Sequence, residues 1–282
     1  MITVDRARHQ AQPALELRSW PASGRRDRAA PPLLFIHGAY TAAWMWEEHF
    51  LPWFSERGFE CHAVSLRGHG DSEGGARLDS ASLRDYVSDV QRTARSLERP
   101  PVLIGHSMGG MVVQKCLETG ATPPAAALLA PVPIEGLGWS IARMGFSRPL
   151  TLMQVGLLQS GFGAFVDSRS VSGAVFSDDL PAPLRDAYGA RTQPESARAL
   201  MDMLGMDLPN RRKMGELPPM LVVGAGRDAF FTSHEAAATA RFYNAELTVE
   251  PGLAHAVMLE PGWERVARRL RSWLEEQFPT GA

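Results

Sequence analysis

Short apolar runs alternate along the chain with longer segments in which apolar residues recur every three or four positions. Runs of the first kind are typical of buried β-strands, and segments of the second kind are typical of amphipathic helices. The strand-like runs lie at residues 14–20, 33–37, 59–66, 101–104, 125–130, 220–223 and 246–250. The helix-like segments lie at residues 44–58, 81–98, 110–119 and 263–278. This alternation predicts an α/β fold with a parallel sheet and helices on both faces.

The alternation stops at Pro131 and resumes near Leu217. The residues between them are rich in Met, Leu, Phe and Gly and carry no strand pattern, and so long a connection is not expected to be a plain loop. We predict a helical cap insertion at about 132–215, folded over the carboxyl edge of the sheet. The rest, about 1–131 and 216–282, forms the core of a single domain. A second helical layer with no role in binding is the alternative interpretation.

Composition limits the classes of function. With 282 residues, 45% hydrophobic content and a net charge of −2, the chain can bury a large core and has no excess of basic residues for nucleic acid or anionic membranes. Cys61 and Cys116 lie in apolar segments without a C-x-x-C pattern, which favours reduced thiols. The first residues lack the apolar stretch of a signal peptide, and no uncharged apolar segment reaches membrane-spanning length. We expect a cytoplasmic protein with no nucleic-acid partner and no membrane insertion; the oligomeric state stays open.

One motif points to chemistry: Gly-His-Ser-Met-Gly at residues 105–109 lies between a predicted strand and a predicted helix. In this context G-x-S-x-G forms a sharp turn that exposes the serine hydroxyl above the sheet edge. The backbone at the serine is strained, and the flanking glycines are needed because Cβ atoms there would collide with neighbouring elements. The motif predicts that Ser107 is a nucleophile. An ordinary glycine turn is the alternative.

A serine nucleophile needs a neighbouring base, usually histidine, and the base needs a carboxylate that fixes its tautomer. Asp228 follows the predicted strand at 220–223, and His255 lies in a loop after the strand at 246–250. The chain order Ser107, Asp228, His255 is the one expected with a G-x-S-x-G turn. We therefore predict that His255 is the base and that Asp228 orients it.

Other residues compete for these roles. Asp202 and Asp207 are alternative acids, but a position in the cap would not place them behind His255. His234 is a weaker alternative base, which the start of a helix explains better. No pair of histidines has the spacing of a metal site, so we expect no metal. We expect packing or surface roles for four other histidines: His49, His62, His69 and His106.

Acyl transfer also requires two main-chain N–H donors for the oxygen that gains negative charge. One should belong to Met108, directly after the serine. The other should be Ala39, since Gly38 lets the turn after the strand at 33–37 approach closely. A plain strand-to-helix turn is the alternative. The candidate substrate contacts are one residue beside this turn and four apolar residues of the cap: Tyr40, Met144, Phe146, Leu158 and Phe162.

Together these pieces resemble the α/β-hydrolase family, in its serine-nucleophile branch of esterases and lipases. The matching segments are residues 37–38, 67–72, 105–110, 228 and 255–260. The resemblance covers nearly the whole chain except the cap, and it implies an eight-stranded, mostly parallel sheet with the reactive residues at its carboxyl edge. It implies no cofactor. Thioesterases, carbon–carbon bond hydrolases and cofactor-free haloperoxidases or perhydrolases use the same fold, so fold alone does not choose among them.

Two hypotheses from other classes are weaker. Residues 224–229 match the dinucleotide pattern G-x-G-x-x-A, and Glu250 follows about 20 residues later. A carboxylate at Asp228 would repel a pyrophosphate, however, and too little chain follows to build the rest of such a site. A non-catalytic binding module with a hydrolase fold would be indicated by the loss of one of the three residues, and none is missing. We expect a hydrolase of small-molecule carboxylic esters with a lipophilic group; the natural substrate, and hydrolysis against acyl transfer, stay open.

Overall fold

The computed structural model describes residues 12–23, 30–159 and 168–279. The strands in this part of the chain are β1 (Leu17–Trp20), β2 (Leu33–Ile36), β3 (Cys61–Val64), β4 (Val102–His106), β5 (Ala126–Leu129), β6 (Met220–Ala225) and β7 (Glu246–Glu250). They form one sheet in the order β1–β3–β2–β4–β5–β6–β7, in which β1 is antiparallel to β3 and the other neighbouring strands are parallel. The predicted α/β fold with a mostly parallel sheet is confirmed. The described residues contain seven strands, not the eight that the resemblance implies.

Helices cover the connections between the strands. They are α1 (Trp44–Glu47), α2 (Phe50–Ser55), α3 (Leu83–Ser96), α4 (Met108–Glu118), α5 (Gly138–Ser147), α6 (Pro149–Gln159), α7 (Ser168–Val175), α8 (Ala182–Gly189), α9 (Ala197–Met201), α10 (Ser233–Tyr243) and α11 (Trp263–Gln277). The single helix expected from residue 44 is wrong, because the backbone of His49 leaves helical geometry between α1 and α2. No helix of the described ranges is long and apolar enough to cross a membrane.

The start of two core helices follows from local sequence. The hydroxyl oxygen of Ser82 accepts a hydrogen bond from the N–H of Asp85, and the N–H of Ser82 donates to the carboxylate of Asp85, so this reciprocal pair begins α3. Thr232 and Glu235 form the same pair at the start of α10. Each pair satisfies N–H groups that a helix leaves without an acceptor in its first turn. The two helices therefore begin at fixed positions on the same face of the sheet.

The two faces of the sheet carry separate apolar clusters. Along β2, Leu33 and Phe35 belong to the cluster with α1, α2 and α11, whereas Leu34 and Ile36 belong to the cluster with α3, α4 and α10. All four side chains have no exposed surface. Successive side chains of a strand point to opposite faces, so a strand covered on both faces must be apolar throughout. The continuous apolar run in the sequence therefore places β2 in the centre of the layers.

The segment between β5 and β6 is helical in its described residues, with α5 to α9, as the sequence predicts. It contacts loops that follow the carboxyl ends of strands. The N–H of Gln193 donates to the carbonyl of Tyr40 after β2 (2.9 Å), and Arg143 donates to the carbonyl of Phe230 after β6. We call this segment the insertion. Its contacts place it beside the edge of the sheet where the predicted reactive residues lie.

Candidate active site

Ser107 lies at the sharp turn between β4 and α4. Its φ of 51° and ψ of −117° are unusual for a residue other than glycine; such a backbone costs about 1–3 kcal/mol and persists only where its surroundings hold it. Three main-chain hydrogen bonds do so. The serine N–H donates to Leu129 (3.1 Å), and its carbonyl accepts from Met111 (3.2 Å) and Val132 (3.1 Å). The turn is therefore fixed by both the neighbouring strand and its own helix.

The glycines on either side of Ser107 are required by close backbone packing. A Cβ on Gly105 would lie 2.5 Å from the carbonyl carbon of Gly109, and one on Gly109 would lie 2.5 Å from the carbonyl oxygen of His37. Neither neighbour can move away, since both are main-chain atoms of buried elements. The G-x-S-x-G pattern thus describes the space available at this turn.

The structure brings Ser107, His255 and Asp228 together at the carboxyl ends of β4, β7 and β6. The Nε2 atom of His255 lies 3.0 Å from the hydroxyl oxygen of Ser107, and its Nδ1 atom lies 2.7 Å from Oδ2 of Asp228. An ionised carboxylate only accepts hydrogen bonds, so Nδ1 carries the proton and Nε2 is free to accept one from the serine. Such an arrangement can remove the hydroxyl proton as the oxygen attacks a carbonyl carbon.

The carboxylate of Asp228 is oriented by its own loop. Its Oδ1 atom accepts hydrogen bonds from the N–H groups of Phe230 (2.7 Å) and Phe231 (3.1 Å). The side chain is only 1% exposed, so water does not compete for Oδ2, which faces His255. The main chain therefore fixes the carboxylate, and the carboxylate in turn fixes the imidazole.

The ring of His255 is enclosed by aromatic side chains. The ring centroids of Phe230 and Phe231 lie 4.9 and 5.4 Å from that of His255, and the ring of His106 lies 4.8 Å away. His106 also donates from Nε2 to the carbonyl of His255 at 3.0 Å. Burial is the main cause that lowers the pKa of His106 well below its ordinary value, with a smaller electrostatic contribution from the neighbouring His255 ring, so the ring of His106 is neutral. His106 therefore packs against His255 and also holds its backbone.

The two predicted oxyanion residues lie on turns that border Ser107. Met108 is the first residue of α4, where an N–H has no acceptor within the helix. Ala39 follows Gly38, and a Cβ on that glycine would lie 3.2 Å from Cβ of Ser107 and 2.8 Å from Nδ1 of His106. Glycine at position 38 therefore lets the turn approach the serine.

His37 holds the same turn from behind. Its Nε2 atom accepts a hydrogen bond from the N–H of Leu66 (3.0 Å), so Nδ1 carries the proton and donates it to the carbonyl of Gly38 (2.8 Å). Burial, with a smaller contribution from the charge of His69, lowers the pKa of His37 to about 3. The ring is therefore neutral at physiological pH and keeps this tautomer.

The candidate substrate contacts differ in their exposure and in whether the structure describes them. Tyr40 is half-buried, and its hydroxyl donates to Oε1 of Gln159 at 3.0 Å. Met144 is buried on α5, whereas Phe146 on the same helix is 92% exposed. Leu158 belongs to α6, but its side chain and all of Phe162 lie outside the described residues.

The alternative acids are engaged elsewhere. Oδ2 of Asp202 accepts from the N–H of Leu83 at the start of α3 (3.1 Å), and Asp207 pairs with Nζ of Lys115 (2.8 Å). His234, the alternative base, is an exposed residue in the first turn of α10. None of the three residues is hydrogen-bonded to His255.

The dinucleotide-like glycines serve packing between two loops. The N–H of Gly226 donates to the carbonyl of Glu250 (2.8 Å), and a Cβ at this glycine would lie 2.6 Å from Cα of Pro251. The glycine thus meets protein where the pattern would require an approaching phosphate. In the described ranges, no group of three or more His, Cys, Asp and Glu side chains is arranged to hold a metal ion.

Sequence reasoning missed a second polar cluster near the site. Glu195 in the insertion is fully buried, and its carboxylate lies 3.1 Å from Nε2 of His69, which is also fully buried. The packing or surface role expected for His69 does not include this ion pair. The two residues are 126 positions apart, and no motif surrounds Glu195, so the sequence carries no signal for the pair.

Comparisons with known proteins agree with the fold. The family model described as "Alpha/beta hydrolase family" matches residues 33–269. A monoacylglycerol lipase of Mycolicibacterium smegmatis is 27% identical over 240 residues, or 80% of this chain and 81% of the relative. Phospholipase YtpA of Bacillus subtilis is 23% identical over 266 residues, or 89% of this chain and 98% of the relative. A thermophilic esterase from Thermogutta terrifontis, solved with malate bound, has 18% identity and a TM-score of 0.71 over 94% of each chain. The resemblance is confirmed: the chain belongs to the alpha/beta hydrolase family and is an enzyme with esterase and lipase relatives.

Proposed function

We propose that this chain is a serine hydrolase that cleaves carboxylic esters through an acyl-enzyme intermediate. Ser107 is the nucleophile, His255 the base and Asp228 the residue that orients the base. The observation that carries the proposal is the continuous hydrogen-bonded series from the serine hydroxyl through the imidazole to the carboxylate, with links of 3.0 and 2.7 Å.

The proposed reaction has two halves. In the first, the hydroxyl oxygen of Ser107 bonds to the ester carbonyl carbon while Nε2 of His255 takes its proton. The resulting oxyanion accepts hydrogen bonds from the N–H groups of Ala39 and Met108. His255 then returns the proton to the departing alkoxide, which leaves as an alcohol. In the second half, water repeats these steps on the acyl-enzyme and releases the carboxylic acid.

We propose a small to medium lipophilic ester as the substrate class, held between the sheet edge and a cap formed by residues 132–215. Phe230 and Phe231 place two aromatic rings against the proposed base, and Met144 adds a buried apolar side chain in the insertion. The names of two relatives, a monoacylglycerol lipase and a phospholipase, refer to esters of lipids. These observations favour an apolar acyl or alcohol group.

A fluorophosphonate probe tests the proposal directly. We expect it to label Ser107, and we expect Ser107→Ala to lose labelling and to lose about 10⁶-fold in kcat. Ser140→Ala is a matched control, since Ser140 is also buried but bonds to Glu235 on α10. A Ser107→Ala variant that still hydrolyses esters would overturn the assignment. A panel of p-nitrophenyl esters, thioesters and aryl amides then separates ester chemistry from its alternatives.

A further inference from the structure

Glu195 is a carboxylate without exposed surface that lies outside the proposed triad. Its Oε1 atom accepts from the hydroxyl of Tyr86 (2.6 Å) and the N–H of Ser196 (2.7 Å). Its Oε2 atom accepts from Nε2 of His69 (3.1 Å) and the N–H of Tyr40 (3.4 Å). A buried charge is strongly destabilising unless donors and an opposite charge compensate for it. Four donors do so here, and they join the insertion to three segments of the core.

His69 supplies the opposite charge. Its Nδ1 atom faces the carbonyl of Arg67 (3.1 Å) and its Nε2 atom faces Glu195, so both ring nitrogens donate. Burial by itself would lower the pKa of His69, but the carboxylate of Glu195 outweighs burial and raises it. Burial would likewise raise the pKa of Glu195, but the charge and hydrogen bond of His69, with further hydrogen bonds, lower it. The pair is therefore an imidazolium and a carboxylate.

Tyr40 is the residue of the oxyanion turn that this cluster holds. Its φ of 64° lies in the left-handed region, which is unfavourable for a residue with a side chain. The insertion binds each of its polar groups. The N–H reaches Glu195, the carbonyl accepts from the N–H of Gln193 (2.9 Å), and the hydroxyl donates to Gln159 (3.0 Å). The amide of Gln159 in turn donates to the carbonyl of Glu195 at 2.8 Å.

Gln193 extends the same contact to a second core loop. Its side-chain oxygen accepts from the N–H of Gly70 (2.8 Å), and its side-chain nitrogen donates to the carbonyl of Gly68 (2.9 Å). We call residues 193–196 the strap. It binds the turn at 38–41 and the loop at 67–70 at the same time, so it holds two neighbouring parts of the core in register.

We propose that Glu195 is a positioning residue for the reaction, which fixes Tyr40 from the insertion and thereby directs the N–H of Ala39 toward the oxyanion. The peptide that carries the N–H of Tyr40 begins at the carbonyl of Ala39, so binding that N–H restricts the ψ angle of Ala39. This inference rests on the proposed function. Glu195 itself touches no reacting atom, and its effect is confined to a step in which negative charge develops.

The variant Glu195→Gln removes the acceptor of the Tyr40 N–H together with the negative charge that faces His69. Its amide has one acceptor oxygen. The main-chain N–H of Ser196 can only donate, so the oxygen is expected to stay at the Oε1 position, where the hydroxyl of Tyr86 also donates. Its nitrogen then faces His69, which can lose a proton and accept at Nε2 while still donating to Arg67. The N–H of Tyr40 is the donor that is left without an acceptor.

Removing one donor from an oxyanion hole costs about 10²–10³ in kcat, so a misdirected donor is expected to cost about 10- to 100-fold. We expect Glu195→Gln to lower kcat for p-nitrophenyl butyrate by this factor with KM within about threefold. The inhibition constant of a trifluoromethyl ketone, whose serine adduct carries the tetrahedral oxygen, is expected to rise by the same factor as kcat falls.

Asp207→Asn is the matched control. Like Glu195→Gln, it removes a carboxylate of the insertion that pairs with a buried basic side chain of the core. That side chain is Lys115, and the pair lies away from the oxyanion turn. We expect lower stability with unchanged kcat and inhibition constant. If Glu195→Gln does not fold, Gln159→Ala replaces it, since it removes the bonds to Tyr40 and to the carbonyl of Glu195. For that variant the expected parallel change is about 3- to 10-fold, a partial loss of one donor.

The outcomes separate the two proposals. A Ser107→Ala variant that remains active contradicts the proposed function, whatever Glu195 does. If Ser107→Ala is inactive, an unchanged kcat in folded Glu195→Gln overturns the positioning role. A fall in kcat without a matching rise in the inhibition constant also overturns it, because the loss would then lie outside the oxyanion step.

Discussion

The variant Asp228→Asn keeps the shape of the side chain and removes its charge, so it tests how the orientation of His255 depends on the carboxylate. The two N–H groups of Phe230 and Phe231 point at Oδ1 and require an acceptor there. The amide oxygen of the variant must therefore occupy that position, and the amide nitrogen must face His255. Nδ1 then has to accept a hydrogen bond, and the ring proton moves to Nε2, where it points at Ser107. The imidazole can no longer take the serine proton.

The wrong tautomer in a triad of this kind lowers kcat by about 10⁴-fold, which corresponds to about 5.5 kcal/mol in activation free energy. We expect this loss in the hydrolysis of p-nitrophenyl butyrate, with a parallel loss in the rate of fluorophosphonate labelling. Thermal unfolding followed by circular dichroism checks that the variant folds.

Asp202→Asn and Asp207→Asn are the controls. The Asp202 side chain is buried and that of Asp207 is mostly buried, but both carboxylates bond to residues away from His255. We expect their kcat to stay within a few-fold of that of the unmodified chain. Our reasoning would be refuted if Asp228→Asn retained kcat within tenfold while remaining folded. A large loss in either control alone would place the acid elsewhere.

Three further predictions follow from other parts of the molecule. Gly109→Ala places a Cβ against the main-chain oxygens of Ile36 and His37 at the end of β2, and we expect it to lower the free energy of unfolding by about 3 kcal/mol or more in urea titrations. Gly145→Ala on α5 is the control, because its Cβ would make only an ordinary contact with Leu152, and we expect little effect or a stabilisation of about 0.5–1 kcal/mol. For p-nitrophenyl acetate, butyrate, hexanoate and octanoate, we expect kcat/KM to rise with acyl length, since each buried methylene contributes up to about 0.8 kcal/mol. A steady decline of kcat/KM from acetate onward would contradict a lipophilic site. Glu195→Gln is expected to lower the free energy of unfolding more at about pH 6 than at about pH 9. The raised pKa of His69 stabilises the folded chain below the ordinary histidine pKa, and this contribution is lost as pH rises through the raised value. Equal losses at both pH values would contradict an ionised pair.

The sequence predicts the parts of the structure that depend on neighbouring residues. The strand at Leu33–Ile36 is recognisable because burial on both faces requires an unbroken apolar run. Asp228 and His255 are recognisable because each follows a strand, and the carboxyl ends of parallel strands meet at one edge. Glycines 105 and 109 are recognisable because a turn this tight leaves no room for a Cβ. In each case, the physical requirement falls on residues close in sequence.

Features that depend on distant contacts are not predictable in this way. Nothing near Glu195 indicates that His69, 126 residues away, will be its partner. Apolar composition identifies the helices of the insertion but not the face that packs, so Phe146 is 92% exposed although the sequence favours it as a substrate contact. The break at His49 is also hidden, because the apolar spacing of Trp44 to Phe54 continues through it. Tertiary packing decides these features.

The contacts of the insertion with the turns after β2 and β6 have a consequence for evolution and for engineering. If the insertion forms part of the substrate site, as we propose, an exchanged insertion would bring a new substrate surface but would also replace the residues that bind Tyr40 and the carbonyl of Phe230. Under the two proposals, substrate preference and turnover would then be inherited together, because one stretch of chain would carry both. A chimaera that transfers this insertion to a relative therefore needs Arg143, the strap and a tyrosine at the position of Tyr40 as one transferable unit.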